Sequence, residues 1–206
     1  VIPAAIYVLS YLPFMMTDAT GYSLADVFRL QNYMYEYHRT MQITHPFSSV
    51  WWEWPIIKKP LWLYMGKDIP VGQMSSIVAM GNPAIWWAGA PAIIAALCIA
   101  LRRKEKGMLV VLLAAASQYV PWMIRPTDLT FIFHFFAITP FMILCLTYVF
   151  KVISDKLPKF KYAVFGYLLL VLFLFFMFYP ILTGAIVNKS FVATYLRWFN
   201  SWIFYV

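Results

Sequence analysis

The chain has 206 residues, of which 63% are hydrophobic and 12% charged, with a formal charge of +8 and a mean hydropathy of +0.73. Soluble domains carry about 25% charged residues, so this composition excludes an ordinary soluble enzyme or binding module and marks an integral membrane protein. The positive balance does not point to nucleic acid either, because the basic residues cluster beside apolar runs, where they set topology and meet anionic lipid. Residues 1–16 are apolar but fall short of the roughly 20 residues that a crossing requires. They read as a span cut at its start, with no initiator methionine and no signal peptide, so the chain is expected to be the C-terminal part of something longer.

A long external loop, about 17–82, follows. Ser23 and Asp26 have the spacing of a helix cap with an acidic third position. Leu24, Val27, Phe28, Met34, Tyr35 and Met41 then recur at helical spacing, with Asp26, Arg29, Asn32, Glu36 and Arg39 mainly elsewhere on the wheel. This predicts an amphipathic helix lying along the bilayer surface, with Glu36 and Arg39 paired one turn apart. Pro46 disfavours helical geometry at His45, so the helix should stop by Ile43 or Thr44. The stretch from Thr44 to Pro55 holds three tryptophans, His45, Ser48, Ser49 and Glu53 together with two prolines. Such a segment suits either a plain interfacial anchor or a site for a charged, lipid-linked substrate.

The later spans are predicted at about 83–101, 108–124, 129–150 and 162–179. The first is entered through Gly81-Asn82-Pro83, with Trp86-Trp87 at its wet end; Gln118 and Pro121 interrupt the next. Arg125-Pro126-Thr127-Asp128 turns into the span carrying His134 and Pro140, and the tail offers Trp198, Trp202 and Tyr205 as interfacial candidates. With 1–16 this makes an all-α membrane fold of about five transmembrane helices plus one interfacial helix. Loops 102–107 and 151–161 hold eight of the sixteen Lys and Arg residues, so they are expected on the cytoplasmic side. His38, His45, Glu53, Arg125 and His134 then share the opposite side.

An ionisable residue at membrane depth is costly and calls for a functional hypothesis. His134 lies about six residues into its span, or roughly 9 Å at 1.5 Å per residue, and Arg125 closes the preceding span. A guanidinium fork and an imidazole donor together suit a phosphate. Snorkelling of Arg125 and a helix–helix hydrogen bond from His134 are the structural alternatives. No metal site and no cofactor are expected: three histidines are scattered, Cys98 and Cys145 sit in apolar runs as packing residues, and no nucleotide or hydrolase motif appears.

Several ordered motifs carry a resemblance. Tyr35-Glu36-Tyr37-His38, the stretch from Thr44 to Pro55, Gly81-Asn82-Pro83 with Trp86-Trp87, Tyr119-Val120-Pro121-Trp122, Arg125, Phe131-Ile132-Phe133-His134-Phe135 and Pro140-Phe141 together resemble the C-terminal region of the dolichyl-phosphate-mannose protein O-mannosyltransferases, especially the bacterial members. The resemblance implies a glycosyltransferase of the GT-C type. Such an enzyme moves mannose from a polyprenyl (dolichyl-type) phosphate carrier to Ser or Thr of secreted polypeptides, on the outer face of the plasma membrane.

The general base of such enzymes is an acidic residue in an external loop near the N-terminus, so no catalytic residue is expected in this fragment, which should be inactive alone. Carried over by position, Arg125 and His134 would bind the lipid phosphate, while His45, Ser48, Ser49 and Trp54 would shape the donor or acceptor pocket. Phe133 and Phe135 stand where the family often has tyrosine, which removes two hydroxyls beside the histidine. A non-enzymatic transporter module, and a related GT-C transferase acting on a lipid or glycan, remain as alternative readings.

Overall fold

The computed structural model describes residues 1–17, 21–40, 45–124 and 129–205. It divides into two compact units, Val1–Ile43 and Thr44–Val206.

In the first unit the apolar opening segment breaks into α1 (Ile2–Leu9) and α2 (Leu12–Met15). Pro13 has no N–H to offer the Leu9 carbonyl, so the helical ladder stops there, and the Ser10 hydroxyl donates to the Tyr7 carbonyl at 2.7 Å. Neither piece has crossing length, so among the described residues four helices, rather than five, are long and apolar enough to span a bilayer. Helix α3 (Leu24–Thr40) starts in a reciprocal cap: Ser23 N–H donates to Asp26 Oδ2 at 2.8 Å, and Asp26 N–H donates to Ser23 Oγ at 3.3 Å. Arg39 and Glu36 pair at 2.7 Å.

The second unit begins with a single 3₁₀ turn, Trp51–Glu53, and then forms strands that the sequence pattern did not announce. β1 (Leu61–Met65) pairs antiparallel with β3 (Ser76–Ala79), with a bulge between Trp62 and Tyr64. β2 (Gln73–Met74) pairs with β4 (Val187–Asn188) of the tail. This segment is therefore folded onto the C-terminal tail. Ser76 Oγ donates to the Phe204 carbonyl, and Trp202 Nε1 donates to the Ile57 carbonyl at 2.6 Å. Trp202 is fully buried, which corrects its assignment as an interfacial residue: its N–H is satisfied inside the fold.

Four long helices follow: α4 (Pro83–Arg103), α5 (Lys106–Ile124), α6 (Thr139–Lys156) and α7 (Phe160–Thr183). Asn82 caps α4 by accepting from Ala84 N–H at 3.0 Å, and Pro83 occupies the first helical position, where no N–H partner is required. The helices run beyond the apolar segments at their basic ends, because Lys and Arg continue helical geometry while their head groups reach water. Thus α6 continues to Lys156, within the segment read from sequence as a basic loop. The residues before α6 do not begin as α-helix: Ile132–Ile138 is 3₁₀, and α-geometry starts only where Pro140 can sit near a helix N-terminus.

A stripe of small residues, Gly89, Ala92, Ala96 and Ala100, is buried along α4. It lets α4 approach α6 closely enough that a Cβ on Gly89 would fall on the Met142 side chain. Cys145 packs beside Ala96, Ala100 and Leu112, and both cysteines are free. Trp86 is buried against Phe135 and Phe136, while Trp87 stays exposed and donates to the Ile56 carbonyl.

Candidate functional site

The site is built on the segment from His45 to Lys59, whose irregular backbone is held by side chains on both sides. His45 turns the chain back on itself: its carbonyl accepts Ser48 N–H at 2.9 Å and its Nδ1 accepts Phe47 N–H at 3.2 Å. An accepting Nδ1 places the proton of the neutral imidazole on Nε2, which makes the outward nitrogen a donor. The ring is exposed and meets Phe131 edge-on at 5.2 Å.

Ser49 is the pin of this segment. Its N–H donates to the Thr130 carbonyl at 2.8 Å, and the Thr130 hydroxyl donates back to the Ser49 carbonyl at 2.7 Å. Trp54 Nε1 donates to Ser49 Oγ at 3.0 Å and lies 3.2 Å from its carbonyl. Trp54 is completely buried, with ring contacts to Tyr119, Trp122 and His134 at about 6 Å. The Tyr119 hydroxyl donates to the Trp51 carbonyl at 2.8 Å, and Lys59 Nζ donates to the Ser48 carbonyl at 3.0 Å. The tryptophan-rich stretch is therefore a packed brace, with Trp52 and Lys58 on its outer side in a cation–π contact at 4.5 Å. Its buried N–H and C=O groups are satisfied by partners from α5 and from the chain before α6.

His134 sits in the 3₁₀ segment, half-buried, with Trp122 at 4.1 Å, Phe133 at 4.4 Å and Trp54 at 5.9 Å between ring centroids. Phe131 and Phe133 stack at 5.6 Å. His45 touches Phe131 and His134 touches Phe133, so the two histidines flank one aromatic pair. Arg125 lies outside the described residues, as do Thr44 and Asp128. Trp122, which packs on His134, is three positions before Arg125 in the chain.

Of the residues expected to shape a pocket, His45 and Ser48 lie toward the surface, whereas Ser49 and Trp54 are buried and act through the backbone they hold. Thr130 was not singled out from the sequence, since a lone threonine beside a span carries no pattern. Tyr119 and Trp122 appear there only as members of a motif. Glu53 accepts Val50 N–H at 3.2 Å and pairs with Lys58 at 2.6 Å, so its carboxylate is committed to capping the turn and to an ion pair. Among the described residues no uncommitted carboxylate stands beside these imidazoles, an arrangement that suits binding an anion better than abstracting a proton.

Next to this rim, an apolar cavity of about 560 Å³ opens between α4 and α5. Pro55, Tyr119 and Phe135 belong both to its wall and to the packing around the brace, and Ile93, Leu97 and Leu112 continue it along the helices. A polar rim thus adjoins an apolar groove at membrane depth.

The family description "C-terminal four TMM region of protein-O-mannosyltransferase" matches residues 23–202. The polyprenol-phosphate-mannose–protein mannosyltransferase of Corynebacterium glutamicum is 26% identical over 98% of this chain and 45% of its own length. The enzyme of the same description from Mycolicibacterium smegmatis is 24% identical over 98% of this chain and 45% of its own length. That from Mycobacterium tuberculosis is 26% identical over 77% of this chain and 32% of its own length. The chain thus spans less than half the length of these relatives. Among solved structures, the Saccharomyces cerevisiae protein O-mannosyltransferase Pmt1–Pmt2 complex bound to the sugar donor superimposes with a TM-score of 0.70 at 18% identity, over 89% of this chain and 28% of that one. At that identity the match speaks for the fold.

Proposed function

Since the chain belongs to the protein O-mannosyltransferases as their C-terminal membrane region, we propose that it carries the donor-binding half of a membrane mannosyltransferase. The donor is a polyprenyl phosphate mannose, and the acceptors are Ser and Thr hydroxyls of polypeptides emerging on the outer face of a bacterial plasma membrane. The basic loops 102–107 and 151–161 lie in the cytoplasm and the segment 17–82 outside.

One observation carries this reading: His45 and His134 flank the same stacked phenylalanine pair, beside an apolar groove with room for a prenyl chain. A lipid-linked anion needs both features together, since its tail must stay in hydrocarbon while its phosphate meets donors at the rim. His134 and Arg125 hold the phosphate. His45 and Ser48 border the sugar or the acceptor, and Ser49 and Trp54 keep the border in place. Holding the phosphate also stabilises the negative charge that builds on it as the glycosidic bond breaks.

The test is mannosyl transfer by the full-length protein from polyprenyl phosphomannose to a Ser/Thr peptide in liposomes. Transfer that is lost in Arg125→Ala and His134→Ala, with the fold intact, supports the reading. Wild-type kinetics in both variants would overturn it.

A further inference from the structure

We propose that the groove between α6 and α7 binds one anionic glycerophospholipid from the leaflet at the basic end of the bundle. The cavity measures about 450 Å³ and is walled by Ile143, Leu146 and Phe150 of α6 and by Val164, Leu168 and Val171 of α7. At its basic end Lys151, Ser154 and Lys161 also line it. Two hydrogen bonds tie α7 to the start of α4 at the other end: Asn82 Nδ2 donates to the Val171 carbonyl at 2.9 Å, and the Tyr167 hydroxyl donates to the Ala84 carbonyl at 3.1 Å.

The groove's length selects its occupant. From Lys161 to Val171 the helix climbs ten residues, about 15 Å at 1.5 Å per residue, which is half of a hydrocarbon core roughly 30 Å thick. An acyl chain of one leaflet fits that depth, with its phosphate left at the lysines.

Charge gives the second half of the argument. Residues 151–161 contain three lysines besides Lys151 itself, against one acidic residue, Asp155. Lys151 is 2.9 Å from Asp155, and Lys161 lies over the Tyr162 ring at 5.3 Å. One carboxylate does not neutralise the cluster, and an anionic head group supplies the complement. A choline head group would instead bring a fixed cation against the lysines, so the site discriminates by head-group charge.

Native mass spectrometry of the delipidated full-length protein tests this, with phosphatidylglycerol or phosphatidylcholine of identical acyl chains added back. Phosphatidylglycerol is expected to be retained preferentially, with retention falling about fivefold for each of Lys151→Ala and Lys161→Ala. Val164→Trp, which fills the groove without touching charge, should also abolish retention. Arg102→Ala with Lys104→Ala removes twice the charge of either single variant from the other basic loop and should leave it unchanged. Equal retention of phosphatidylcholine, equal losses in both loops, or full retention by Val164→Trp would each overturn the proposal in favour of general surface attraction. Displacement of phosphatidylglycerol by equimolar polyprenyl phosphate would overturn the choice of a glycerophospholipid.

Discussion

Ser49 and Thr130, 81 positions apart in the chain, hold each other by two hydrogen bonds, one from the Ser49 backbone N–H and one from the Thr130 hydroxyl. Thr130→Val keeps the side-chain shape and removes only the hydroxyl, leaving the Ser49 carbonyl with the longer contact from Trp54. Losing one hydrogen bond while the carbonyl keeps another partner costs about 0.5–1.5 kcal/mol. In a domain of this size that lowers the melting temperature by about 2–4 °C per kcal/mol, which a thermal scan in detergent reads. Mannosyl transfer should fall with it, because His45 loses its fixed approach to Phe131, and Thr130→Ser should restore both.

His134 has two separable properties, its packing against Trp122 and its imidazole donor. His134→Phe keeps a ring in the aromatic cluster and removes the donor. Losing a hydrogen bond to a charged phosphate costs about 1.5–3 kcal/mol, so kcat/KM for the lipid donor should drop about 10–150-fold while the melting temperature stays near wild type. Arg125→Lys retains the charge without the fork and should fall between wild type and Arg125→Ala. A His134→Phe enzyme with wild-type kcat/KM would reduce the histidine to a packing residue.

The spans were legible because an apolar run of about 20 residues, in a chain this hydrophobic, has little to do but cross a bilayer. The cap at Ser23 and Asp26 was equally plain, since its two hydrogen bonds are local in sequence. Both histidines and Trp54 could be named as candidates by residue type and motif. What stayed hidden is every relationship set by distant partners: Thr130 under Ser49, Trp202 under Ile57, and the tail strand Val187–Asn188 that completes a sheet with Gln73–Met74. The strand pair Leu61–Met65 and Ser76–Ala79 was missed because its aromatic residues read equally well as an interfacial loop. The break in the first apolar segment depends on Pro13, a signal that was present and was outweighed by hydropathy.

Asp26 makes the start of α3 sensitive to acid. The Ser23 hydroxyl and then the Ser23 N–H, both donating to its carboxylate, hold its pKa below the usual aspartate value. A carboxylate with a depressed folded pKa stabilises the structure fully above its unfolded value, about 3.9, and loses that contribution as pH falls through the lower folded value. The helical signal of α3 should therefore be flat above about pH 4 and fray at its first turn below it. Carbon chemical shifts of Asp26 across an acid titration read the midpoint directly. Asp26→Asn should remove the pH dependence while leaving an acceptor for the serine.

The groove between α4 and α5 makes a prediction that depends on donor length. Ala116 lines its wall on α5, along with Leu112, Leu113 and Tyr119. Ala116→Phe fills part of the cavity without adding charge or touching His45 or His134. If the prenyl chain of the donor lies there, each methylene displaced into less apolar surroundings costs about 0.8 kcal/mol. The variant should then raise KM for a long-chain polyprenyl phosphomannose by about tenfold or more, since each 1.4 kcal/mol is a factor of ten. A short-chain, water-soluble donor that never reaches the groove should keep its wild-type KM, and kcat for both donors should change little because the rim is untouched. Steady-state kinetics with the two donors in parallel decide it: an equal rise for both would mean that the introduced ring disturbs the rim through Tyr119, and no rise for either would move the prenyl chain to another face of the bundle.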